Sequence, residues 1–105
     1  PGSPGAPVPL DPKVAAYLQD SLEDVVTEGT AAQTFAGFPL DEWPVAGKTG
    51  TAEMVAGNDT SWFISYAPAT SPRYVVAVAV TQAGLGSEAA VPISRVIHDE
   101  LRRLP

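Results

Sequence analysis

No cysteine occurs in the 105 residues, so disulfides and thiolate-bound metals are excluded. The single histidine, His98, cannot build a multi-histidine metal site. Basic residues are also few: 6 Lys and Arg stand against 12 Asp and Glu, for a formal charge of −6. That balance argues against a nucleic-acid partner, which selects clustered Lys and Arg, and against docking on an anionic membrane surface. No apolar run approaches the ~20 residues that a membrane span requires. Residues 1–9 lack the basic start and apolar centre of a signal peptide. What is plentiful is apolar surface: 45% of the chain, enough for one modest core and too much for disorder throughout.

The chain opens PGSPGAPVP. Proline removes amide donors and glycine weakens regular structure, so residues 1–11 are expected to form a flexible tail or linker and 12–105 the folded part. Asp11 suits a helix N-cap and Pro12 the first helical position, which predicts a helix over 12–28. Its apolar residues Val14, Leu18, Leu22 and Val25 recur at helical spacing, and Gly29 suits the place just past its end. Much of the negative charge falls between Asp11 and Glu28, as on a solvated helix face. Residues 30–44 form a connector whose Phe35, Phe38 and Trp43 read as anchors on a core.

Three strands are expected next, over 45–54, 61–67 and 74–81. Gly57-Asn58 and Asn58-Asp59 read as turn chemistry, and Gly84 and Gly86 as a loop. The third strand, YVVAVAVT, is apolar on both alternating faces and should be covered on both. Short loops between consecutive strands imply antiparallel pairing. A last helix is expected over 89–104, with Pro92 in its first turn and a stripe of Ile93, Val96, Ile97, Leu101 and Leu104. That stripe puts His98 on the helix's exposed side, and Arg102 and Arg103 in the final turn complement the helix dipole. The expected fold class is α/β: a three-stranded antiparallel sheet with N- and C-terminal helices.

The chemistry concentrates in Gly47-Lys48-Thr49-Gly50-Thr51. On an edge strand, a cation, two hydroxyls and free backbone groups together can hold a carboxylate and pair with a peptide-like substrate. Gly50 leaves room for close approach. A nucleotide phosphate loop would need a glycine five positions before Gly47, where Glu42 stands, and would run directly into a helix. Asp41 and Glu42 are adjacent in a loop, so they do not face one another across a substrate as hydrolase carboxylates must. Glu53 reads as structural or solvent-facing.

The stretches VAGKTGTAE, NDTSWFISYAP and YVVAVAV, with VVTEGTA upstream, resemble the C-terminal part of the transpeptidase domain of class B penicillin-binding proteins. The resemblance covers about residues 12–104. These enzymes also use a serine-x-x-lysine motif and a serine-aspartate-asparagine type motif. The chain departs from the family there: none of Ser3, Ser21, Ser61, Ser65, Ser71, Ser87 and Ser94 has lysine three positions on, and none begins a serine-x-asparagine triplet.

The resemblance therefore implies a fragment of a peptidoglycan D,D-transpeptidase of cell division or shape maintenance, inactive alone because the nucleophile lies elsewhere in the parent. It implies that Lys48 tunes electrostatics near the serine and that Thr49 and Thr51 bind the carboxylate of a stem peptide or β-lactam. It implies further that Gly50 permits close packing, and that the Thr51 backbone amide is an oxyanion-hole donor. Other implied partners are the rest of the transpeptidase domain, with no nucleic acid, metal or organic cofactor. The parent is expected to be membrane-anchored, with this domain on the extracytoplasmic face. The competing expectation is a non-catalytic module that binds peptide along its strand edge.

Overall fold

Asp11 opens the first helix: its side chain accepts the Lys13 amide at 2.8 Å, while Pro12 occupies the first turn, where no amide is needed. The computed structural model describes residues 5–52, 60–81 and 89–105. Its elements are α1 (Pro12–Thr27), α2 (Ala32–Phe35), β1 (Ala46–Ala52), β2 (Thr60–Ala67), β3 (Tyr74–Thr81) and α3 (Ala90–Leu101). Residues 5–11 form neither helix nor strand and are exposed. The sheet is antiparallel in the order β1-β2-β3, the expected α/β arrangement. Glu53, Gly57, Asn58, Asp59, Gly84, Gly86 and Ser87 lie outside the described residues.

Alternation along β2 sends Ser61, Phe63, Ser65 and Ala67 to one face, where all four are buried. Cross-strand register places Phe63 between Thr49 of β1 and Val78 of β3. From the connector, Phe35 brings its ring to 6.4 Å from Phe63 and edge-on to Phe38 at 5.3 Å. Gly37, at φ 82°, makes the left-handed turn between Phe35 and Phe38 that brings both rings inward. Val26, Trp43, Val45, Val76 and Val91 complete the core. Burying each large side chain there contributes roughly 1.5–3 kcal/mol.

Three expectations need correction. First, β3 is covered on one face only. Val76 and Val78 are buried, but Val75 is 75% exposed, and Ile64 and Trp62 on the same open face are 50% and 39% exposed. α3 packs on the Phe63 side of β2 and β3, where Phe35 of α2 also lies against Phe63, and α1 lies against β1.

Second, the apolar stripe of α1 is only partly used. Val14 and Leu18 are exposed, Leu22 and Val25 are half-buried, and Val26 is the buried residue. The helix packs chiefly on β1 through its C-terminal half.

Third, the last helix presents a different face from the one its aliphatic residues suggest. Of the expected stripe, Ile97 and Leu101 are half-buried against the core, but Ile93, Val96 and Leu104 are exposed, while Ala90, Val91, Ser94 and His98 are buried. The small side chains Ala90 and Ser94 let α3 approach the serines of β2 closely, and Ser61 Oγ accepts the Ala90 amide at 3.2 Å. Every polar group on this face has a partner, which is what makes its burial tolerable.

Candidate active site on the first strand

Burial along β1 is confined to its first half. Ala46 and Gly47 are buried, Thr49 is half-buried, and Lys48, Gly50, Thr51 and Ala52 are exposed. β2 pairs with one edge of the strand, and no strand pairs with the other among the described residues. The segment 48–52 therefore projects as an open edge with its backbone groups on offer.

The anchored end is fixed by Gly47. A Cβ there would lie 2.7 Å from Phe63 Cζ and 2.9 Å from the Ile64 carbonyl oxygen, so the Phe63 ring sits directly against the glycine backbone. The expectation at Gly50 is room for another backbone or a ligand to come close. In the structure the tight glycine is Gly47, whereas a Cβ on Gly50 would meet nothing nearer than Trp62 Cβ at 3.8 Å. Space beside Gly50 is thus open toward the projecting edge.

Strand alternation separates the polar groups of the motif. Lys48 and Gly50 fall on the Trp62–Ile64 side, Thr49 and Thr51 on the Phe63 side. Lys48 Nζ turns back to the strand and donates to the Thr49 carbonyl at 3.0 Å, which keeps the ammonium at the edge. Thr49 Oγ1 lies 3.0 Å from Thr30 Oγ1, in the turn after α1. Sequence reasoning named Lys48, Thr49, Gly50 and Thr51, and all four lie together on the projecting segment. Thr30 itself carries no expectation from the sequence, although it lies in the stretch VVTEGTA. Near the buried end, the Tyr66 phenol is pushed up by burial and then by the Glu23 carboxylate of α1.

Behind the sheet lies a second polar constellation. His98, assigned to the exposed side of α3, is fully buried. Trp43 Nε1 donates to its Nδ1 at 3.3 Å, its Nε2 lies 2.8 Å from Ser65 Oγ, and Ser65 donates on to the Val76 carbonyl at 3.4 Å. Burial lowers the His98 pKa to about 4. This chain of bonds ties α3, the connector, β2 and β3 together. Its members are far from the projecting edge in role: they fix the sheet that carries β1.

Comparison with known proteins identifies this arrangement. The family described as the penicillin binding protein transpeptidase domain matches residues 6–99. Pseudomonas aeruginosa PBP2, solved in complex with WCK 5153, superposes with a TM-score of 0.76 at 31% identity, over 96% of this chain and 23% of that one. Penicillin-binding protein A from M. tuberculosis, solved as an imipenem acyl-enzyme complex, superposes with a TM-score of 0.64 at 32% identity, over 88% of this chain and 20% of that one. The fold is thus that of a transpeptidase domain segment.

The chain belongs to the penicillin-binding protein transpeptidase family. Among its curated relatives, the peptidoglycan D,D-transpeptidase MrdA of Haemophilus influenzae is 36% identical over 115 aligned positions, which cover 90% of this chain and 17% of MrdA. The chain therefore spans about a sixth of the length of that relative.

Proposed function

We propose that this chain supplies the substrate-binding edge strand of a peptidoglycan D,D-transpeptidase that cross-links stem peptides through an acyl-serine intermediate. The observation that carries the reading is the segment 48–52, which presents an ammonium on one face, two hydroxyls on the other and an open backbone edge beside them. Relatives named as D,D-transpeptidases, and a relative solved as a β-lactam acyl-enzyme, support it.

In this reading an extended stem peptide lies along the open edge of β1 and adds to the sheet through main-chain hydrogen bonds. Thr49 and Thr51 donate to its carboxylate, and the Lys48 ammonium lowers the energy of negative charge beside the serine. The Thr51 amide donates to the oxyanion as the serine oxygen adds to the scissile carbonyl, an interaction worth roughly 3–4 kcal/mol in a complete site. The serine comes from another part of the parent, since no serine here carries the lysine partner that activates it. The parent acts on the extracytoplasmic face, where peptidoglycan lies. No described helix is long and apolar enough to cross a membrane, so an anchor would be a separate segment.

Fluorescent penicillin followed by intact-mass analysis tests the reading. The full-length protein should gain one acyl adduct on a serine outside this segment, and the 105-residue chain alone should gain none. An adduct on any serine of this chain, or an unlabelled full-length protein, would contradict it.

A further inference from the structure

Thr30 stands 19 positions before Thr49 in sequence, yet their hydroxyls meet at 3.0 Å. We infer that Thr30 is a positioning residue that orients the Thr49 hydroxyl toward the substrate carboxylate. The inference rests on the substrate-binding role proposed above for β1.

Thr30 is held rigidly enough for such a task. On one side Gly29 donates its amide to the Asp24 carbonyl at 2.7 Å, and a Cβ on Gly29 would crowd Val25 Cα at 3.0 Å, so the backbone there is closely packed. On the other side Ala31 is fully buried and donates its amide to the Val25 carbonyl at 3.0 Å. The turn after α1 is thereby locked on both flanks of Thr30. Thr49 is fixed independently, by its pairing with Phe63 in the sheet. Two separately anchored backbones therefore set the distance between the hydroxyls.

The direction of the bond follows from the chemistry of the ligand. A hydroxyl has one proton and two lone pairs. A carboxylate only accepts, so Thr49 must give its proton to the substrate. Its contact with Thr30 is then an accepting one: the Thr30 O–H donates to Thr49 Oγ1, and the Thr49 O–H points outward to the carboxylate. Each bond in such a series polarises the next. Without the donor, the Thr49 hydroxyl is free to rotate, and its proton is aimed at the ligand only part of the time. Thr30 thus favours an anionic acceptor over a neutral one at this position.

The test compares acylation rates of the full-length protein by benzylpenicillin and by its methyl ester, with melting temperatures confirming that each variant folds. Thr30→Val should slow acylation by the acid roughly 3–10-fold and affect the ester less, because hydrogen bonds to charged acceptors are the stronger. Thr30→Ser should stay within about twofold of wild type, since it keeps the donor. In a Thr49→Val background, Thr30→Val should add nothing. An equal loss with acid and ester, an unchanged acid rate, or a further loss in the Thr49→Val background would overturn the positioning role. If Thr49→Val itself leaves the acid rate unchanged, the underlying reading of β1 fails, and that outcome is distinct from a failure at Thr30 alone.

Discussion

Trp43 and His98 fix one another's chemistry. An indole N–H only donates, and it points at His98 Nδ1 from 3.3 Å, so that nitrogen must be unprotonated. The proton sits on Nε2 and is donated to Ser65 Oγ at 2.8 Å. Protonating the imidazole would set a new N–H against the indole N–H inside the core. Burial lowers the His98 pKa to about 4, and the indole N–H leaves a second imidazole proton no acceptor at Nδ1.

Stability should therefore depend on pH with a defined sign. The unfolded histidine titrates near 6.5, the folded one near 4, so the unfolded chain binds more protons between these values. The stabilising contribution is present above pH 6.5 and is lost as pH falls toward 4, to a total of about 3 kcal/mol. Denaturant midpoints between pH 7 and 4 measure it, with His98→Phe as the control that should remove this part of the slope. A wild-type profile as flat as that of the control would refute it.

Ser65→Ala leaves the buried His98 Nε2–H without its acceptor. A loss of about 1–3 kcal/mol is expected, the cost of one stranded buried polar group. Chemical denaturation at pH 7 reads it directly. A neutral substitution would mean that the ring finds another partner.

The two glycines of the motif should respond differently. Gly47→Ala places a methyl 2.7 Å from Phe63 Cζ and 2.9 Å from a backbone oxygen that cannot swing away, so it should cost about 1–3 kcal/mol. Gly50→Ala meets ordinary contact at 3.8 Å and should stay within about 1 kcal/mol. Melting curves of the two variants decide it, and equal destabilisation would show that Phe63 does not press on the strand as described.

Val75, Ile64 and Trp62 leave an apolar strip on the sheet face opposite α3. For the 105-residue chain alone, that strip and the strand edges left unpaired among the described residues predict concentration-dependent association. Sedimentation of wild type against Val75→Lys tests the source. A wild-type monomer at millimolar concentration would be inconsistent with it.

The strands were legible because their residue types are strand formers and their spacing is regular: SWFISYA and YVVAVAV give β2 and β3 nearly to the residue. The faces were less legible. His98 and Ser94 look like solvent residues by type, and distant partners, Ser65 from 33 positions away and Trp43 from 55, turn that side of α3 into the buried one. The four-residue α2 is too short to show a period, and Arg95, far along the chain, secures it by donating to the Thr34 and Ala36 carbonyls. At the candidate site, Lys48, Thr49, Gly50 and Thr51 form one contiguous motif that the sequence displays. Thr30 joins them only through the path of the turn after α1, which spacing alone does not reveal.

The most direct test of the proposed role of β1 is the acylation rate of full-length Lys48→Ala beside its melting curve. Lys48 is exposed and outside the core, so the fold should lose no more than about 0.5 kcal/mol. Acylation by penicillin should fall by about a hundredfold or more, the scale expected when a group that assists proton transfer is removed. An unchanged acylation rate in a fully folded variant would contradict the assignment of this strand to the active site.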